Sequence, residues 1–103
     1  MNRDQQAQEI LKRIRADDFI LLLHAAKRSD ERSIGKENVI YCANTCFHWE
    51  WQEDHSTHLF LGLLNQTESG GFTAVLRDQV LVVTVFKRRL TKWEKHLKKS
   101  KKL

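Results

Sequence analysis

The chain has no proline, four glycines, two cysteines and one methionine in 103 residues. Without proline there is no proline-rich linker at which to divide it, and no internal repeat takes that role. The two cysteines, Cys42 and Cys46, stand too close together to build a disulfide framework, so a reducing, cytoplasmic setting is expected. No apolar run approaches the roughly 18–20 residues needed to span a bilayer. The opening stretch Met1–Arg15 is polar and charged, without a signal-peptide pattern. The single glycine pair, Gly70–Gly71, is expected in a loop. A glycine-rich phosphate loop, a nucleophile elbow and an Asp-x-Asp pattern are all lacking, which argues against nucleotide-driven and metal-dependent phosphoryl chemistry.

What is present is the composition of one small folded domain, 41% hydrophobic and 30% charged. That is too apolar and aromatic for a disordered chain. A chain of this length buries only about 60–65% of its unfolded surface, enough for one core. The net charge of +5 and a pI of about 9.5 favour an acidic partner. The charge is concentrated, however: Lys87–Leu103 holds nine basic residues and one acid, against nine basic and twelve acidic residues before it. The expected organisation is a near-neutral domain over residues 1–94 followed by a basic tail over 95–103.

Ala7, Ile10, Leu11 and Ile14 fall on one stripe at helical spacing and predict a helix over Asp4–Arg15, capped by Asn2 or Asp4. After Asp17–Asp18, the run Phe19–Leu23 reads as buried, either as a helix continuing through Arg28, which is favoured, or as a short strand. Ile34–Asn44 reads as a further helix, with Ser33 as cap and Val39, Ile40 and Ala43 inward. Four strands are then expected over Phe47–Gln52, His58–Leu64, Phe72–Leu76 and Val80–Phe86, with turn chemistry in Glu53–Thr57, Asn65–Gly71 and Arg77–Gln79. The strongly apolar fourth strand is expected to be internal. Leu90, Trp93 and Leu97 mark a short final helix. Helices followed by an antiparallel meander predict an α+β domain, with helices packed on one face of a four-stranded antiparallel sheet.

Four groups of residues offer chemistry. On a helix, His24, Arg28 and Glu31 share one face and Arg32 follows one turn after Arg28, a set suited to an anionic ligand such as phosphate. An ordinary amphipathic helix with solvated Arg–Glu pairs explains the same spacing. At the end of the last strand, Thr84, Phe86 and Arg88 face one way and Val85, Lys87 and Arg89 the other. Lys87 and Arg89 then serve either a phosphate site or the start of a solvated tail.

Cys42, Cys46, His48, His55 and His58 are zinc-ligand types without a zinc spacing, and buried cysteines with surface histidines are the better reading. Finally, alternation puts Trp49 and Trp51 on one face and His48, Glu50 and Gln52 on the other. Core packing or base stacking explains the tryptophans, and acid/base work or solvation the polar set. The tail lysines Lys95, Lys98 and Lys99, with Lys92, Arg88 and Arg89, would attract phosphates without regard to sequence.

The pattern His24-Ala25-x-x-Arg28-x-x-Glu31-Arg32-x-Ile34-x-x-Glu37-x-Val39, followed by strands, Leu81–Phe86 and Trp93-Glu94, resembles a small uncharacterised family called domain of unknown function 4258. That family is similar to the RelE and BrnT ribonuclease toxins of toxin–antitoxin systems. The resemblance spans about Leu22 to Glu94. It departs at Ser33, where the family usually has glycine, and a serine can cap the next helix equally well.

The resemblance implies a RelE/BrnT-like fold and cleavage of RNA without a metal or other cofactor. It carries His24, Arg28 and Arg32 over as motif positions, with Thr84 and Lys87 matching more loosely. In the implied mechanism a 2′-hydroxyl attacks the adjacent phosphate, His24 or a sheet histidine such as His48 moves protons, and Arg28, Arg32 and Lys87 stabilise the developing charge. RNA and an antitoxin-like protein are the implied partners. A non-catalytic domain binding nucleic acid or protein is the alternative.

Overall fold

The computed structural model describes residues 1–22 and 35–88. Its elements, in chain order, are α1 (Arg3–Arg15), β1 (Ile20–Leu21), α2 (Lys36–Asn44), β2 (His48–Gln52), β3 (Thr57–Leu63), β4 (Ser69–Leu76) and β5 (Val80–Arg88). The expected final helix at Leu90–Leu97 and the tail lie outside the described residues, as does the segment carrying His24, Arg28 and Arg32.

The apolar stripe of α1 is realised as read: Ala7, Ile10, Leu11 and Ile14 are all buried. Each of the three larger side chains contributes about 1.5–3 kcal/mol by leaving water. Asn2 is the cap. Its Oδ1 accepts from the Gln5 amide at 2.8 Å, while Gln5 Oε1 accepts from the Asn2 amide at 3.0 Å, so two otherwise orphaned donors are satisfied reciprocally. The helix ends because Asp17 takes the left-handed conformation, φ 60°. The Asp17 amide then donates to Ile14 O at 3.0 Å and the Asp18 amide to Arg13 O at 2.8 Å, closing the last turn in the Schellman pattern.

Beyond that stop the chain forms β1, not a continued helix. Ile20 and Leu21 pair in parallel with Leu81 and Val82. The sheet is therefore five-stranded and mixed, in the order β1-β5-β4-β3-β2, rather than four-stranded and antiparallel. The physical reason lies in β5. Its apolar middle would otherwise present unpaired amides and carbonyls along a hydrophobic edge, and two residues of β1 cover part of that edge. As expected, β5 is internal.

Helix α2 starts two residues later than read, and its cap is Gly35 in place of Ser33. The Gly35 amide donates to Asn38 Oδ1 at 2.9 Å, and the Asn38 amide to Gly35 O at 3.0 Å. Val39, Cys42 and Ala43 are buried and Ile40 packs partly against the core. Both helices lie on the same face of the sheet, against the inward row of His58 and Phe60 on β3, Phe72 and Ala74 on β4 and Val82 and Val85 on β5. Arg15 at the end of α1 ties them together, donating to the Ala43 carbonyl of α2 from both Nε (3.3 Å) and Nη2 (3.0 Å).

Two departures shape the sheet. Gly70 and Gly71 are strand residues of β4, both buried, not loop residues. A Cβ on Gly70 would meet Phe86 O at 2.3 Å and Leu64 Cδ1 at 2.6 Å, and one on Gly71 would meet Phe60 O at 2.4 Å and Phe86 Cζ at 2.7 Å, so partner-strand backbone and neighbouring side chains leave no room on either face. The second is a bulge: Thr73 opposes Thr84 but Ala74 opposes Val82, leaving Val83 as the extra residue. It reverses the side-chain parity along β5. Val80, Val82 and Val85 can consequently all be buried on the helix side.

Candidate functional site

The end of β5 is the part of the candidate site within the described residues. After the bulge, Thr84, Phe86 and Arg88 point away from the helices and Val85 and Lys87 towards them, the division expected from alternation. Thr84 and Lys87 thus leave opposite faces and do not converge on one ligand. Thr84 Oγ1 lies 2.6 Å from Thr73 Oγ1, a cross-strand hydroxyl pair on the open face. Arg88 is half-buried on that face, and its carbonyl accepts from the Ser69 hydroxyl.

Lys87 is held by an acid that sequence reasoning missed. Its Nζ lies 3.0 Å from Glu68 Oε2, both side chains being close to half exposed. Glu68 is set in place by the turn before β4. Asn65 Oδ1 accepts from the Thr67 amide at 2.9 Å and the Glu68 amide at 2.8 Å, and the Leu64 amide donates to Glu68 O at 2.8 Å. The Lys87 ammonium, by hydrogen bond and by charge, holds the Glu68 carboxyl below its usual range, and Asn65 adds to the shift. The signal was present in the sequence as an asparagine-led turn ending in an acid. Only the pairing of Gly70 with Lys87 brings that turn beside the end of β5.

Leu22 is the last described residue before the His24–Arg32 segment. The Leu22 amide donates to Val82 O at 3.1 Å, continuing the parallel β1–β5 pairing. Leu22 thus lies beside Val82, two residues before Thr84. His24, Arg28 and Arg32 themselves lie outside the described residues, as do Arg89, Lys92, Lys95, Lys98 and Lys99.

The remaining groups are placed otherwise. Trp49 and Trp51 turn to the helix side, with their rings 5.8 and 4.9 Å from that of His58. The Arg3 guanidinium covers the Trp51 ring at 3.5 Å. The tryptophans are thus packing residues and form no open base-stacking platform. His58 is 2% exposed, and its Nε2 lies 3.1 Å from the Arg3 carbonyl. Burial lowers its pKa from the ordinary value. His48 and Glu50 are exposed on the open face of β2, at the far side of the sheet from β5.

Cys42 is buried with its thiol 4.0 Å from Gly70 O, and the Cys46 thiol lies 3.3 Å from His48 O. His55 is exposed in the β2–β3 turn. Among the described residues no group of three or more His, Cys, Asp or Glu side chains is arranged to hold a metal ion. No helix among them is long and apolar enough to cross a membrane. No protein-family model matches the chain, and no curated protein or solved structure matches it either.

Proposed function

We propose that this chain is a toxin-like endoribonuclease that cleaves RNA by attack of a 2′-hydroxyl on the adjacent phosphate. The observation that carries the reading is the parallel β1–β5 pairing. It sets Leu22, the last described residue before the His24–Arg32 segment, beside Val82 of the strand that bears Lys87. His24 takes the proton from the 2′-hydroxyl and returns it to the departing 5′-oxygen, giving a 2′,3′-cyclic phosphate and a 5′-hydroxyl, while Arg28, Arg32 and Lys87 stabilise the phosphorane. Thr84, on the open face, takes no part in this scheme, and His48 is at the wrong side of the sheet to serve it.

A second reading, a non-catalytic domain binding nucleic acid or a protein partner, is favoured by the Lys87–Glu68 ion pair, which already neutralises one of the required cations. Induced expression of the unaltered chain and of Arg28→Ala/Arg32→Ala separates the two. Growth arrest with RNA decay that disappears in the double variant, and cleavage by the purified protein that persists in EDTA, are expected for the nuclease. Absence of RNA decay, or decay that survives both changes, refutes it.

A further inference from the structure

The two edges of the sheet differ. One is β1, only two residues long; the other is β2, with five, and the helices pack over β3, β4 and β5. Neighbours on β3 fix which backbone groups of β2 point outward. Leu61 O accepts from the Phe47 amide at 3.0 Å and the Leu63 amide donates to Thr45 Oγ1 at 2.8 Å, so alternate residues of β3, Leu59 included, aim their backbone groups to the β2 side. Their partners His48 and Glu50 aim back at β3. The amides and carbonyls of Trp49 and Trp51 therefore line the outer edge, where no described strand pairs with them. An edge carrying such groups, with neither lysine nor proline along it, is a template for another strand.

We propose that β2 pairs antiparallel with β2 of a second copy of this chain, in the register centred on Trp49, making one continuous sheet from the two. Self-complementarity singles out this occupant. In a two-fold pairing, each residue that meets another is met by it in return. The bonds must run through the outward groups of Trp49 and Trp51, so the centre falls on Trp49, Glu50 or Trp51. A centre on Glu50 sets two carboxylates directly opposite each other, which is repulsive. A centre on Trp51 runs Trp49 and His48 against Glu53 and Asp54, which belong to the β2–β3 turn and not to the strand.

The centre on Trp49 meets neither obstacle. Each Trp49 exchanges its amide and carbonyl with Trp49 of the other copy, and His48 of each copy lies opposite Glu50 of the other, twice over. Both side chains are exposed on the open face and have no partner among the described residues, so each is free to pair across the junction. Phe47, 46% exposed, comes opposite Trp51 of the other copy and loses part of that exposure. Pairing through β2 is independent of the ribonuclease reading.

The test is sedimentation equilibrium on the full, unaltered chain across about 10 µM to 1 mM, the range suited to a small interface. A reversible dimer is expected, and exchange of the Trp49 amide, followed by nuclear magnetic resonance, should slow as concentration rises. His48→Glu sets Glu against Glu50, and Glu50→Lys sets Lys against His48; each should raise the dissociation constant about tenfold. The combined His48→Glu/Glu50→Lys variant should bring it back to the parent value. A chain monomeric throughout, a Trp49 amide indifferent to concentration, single variants that dimerise like the parent, or a double variant that fails to recover each overturns the assignment.

Discussion

Gly62 of β3 lies directly against α2, and its replacement by alanine probes the packing that holds α2 in place. Its backbone is not left-handed, so alanine meets no conformational penalty there and the whole effect is steric. An added Cβ would lie 2.6 Å from the Cys42 carbonyl oxygen, 3.0 Å from Thr45 Oγ1 and 3.2 Å from Cys42 Sγ. The nearest obstacle is backbone, which cannot rotate away as a side chain would. α2 must therefore lift, loosening Val39, Cys42 and Ala43, each fully buried.

Overpacking of this kind costs about 1–3 kcal/mol. In a domain of this size each kcal/mol lowers Tm by about 4–8 °C. Urea unfolding followed by circular dichroism should show a lower midpoint with little change in slope. Adding Cys42→Ala should not restore stability, because the thiol is not the main obstacle. A Gly62→Ala chain as stable as the parent, or one rescued by Cys42→Ala, would refute the reasoning.

Thr45 clips α2 to the sheet: its Oγ1 accepts from the Leu63 amide at 2.8 Å and its hydroxyl donates to Tyr41 O at 2.8 Å. Thr45→Val should lower stability by about 1–3 kcal/mol, measured by urea unfolding, because the Leu63 amide loses its partner. His58, kept neutral by burial, binds fewer protons folded than unfolded. Stability should therefore fall as pH drops below about 6.5, the unfolded value, and His58→Gln should flatten that slope in thermal melts between pH 7 and pH 5. Burial pushes the Cys42 thiol up to about 12 and raises Cys46 as well. Iodoacetamide at pH 8 should accordingly label the partly exposed Cys46 first and leave Cys42 unmodified in the folded chain, as peptide mass mapping would show.

Elements governed by local periodicity were legible in the chain itself. The α1 stripe, the shared face of Trp49 and Trp51 and the four strands after α2 follow from spacing of 3.6 or 2, which each segment carries within itself. Alternation also separated Thr84 from Lys87 correctly. Those same residues were nevertheless grouped as one site, since a resemblance transfers positions and not directions.

Other features depended on partners distant in sequence. The run after Asp18 is short and apolar enough for either helix or strand, and only the open edge of β5 decides for a strand. Gly70–Gly71 has the composition of a loop. It is strand because it pairs with β3 on one side and β5 on the other, and Phe60 O, Phe86 O and the side chains of Leu64, Phe86 and Leu61 leave no room there for a Cβ. Glu68 meets Lys87 only through the β4–β5 register.

The charge and the absences of the chain, with its two periodicities, determined an α+β domain with a near-neutral body and a basic end. Which way Lys87 and Thr84 face relative to the core was decided by one extra residue, Val83, because a bulge reverses parity for every position after it. No local pattern contains that information: it arises from how β5 is matched to β4 on one side and β1 on the other.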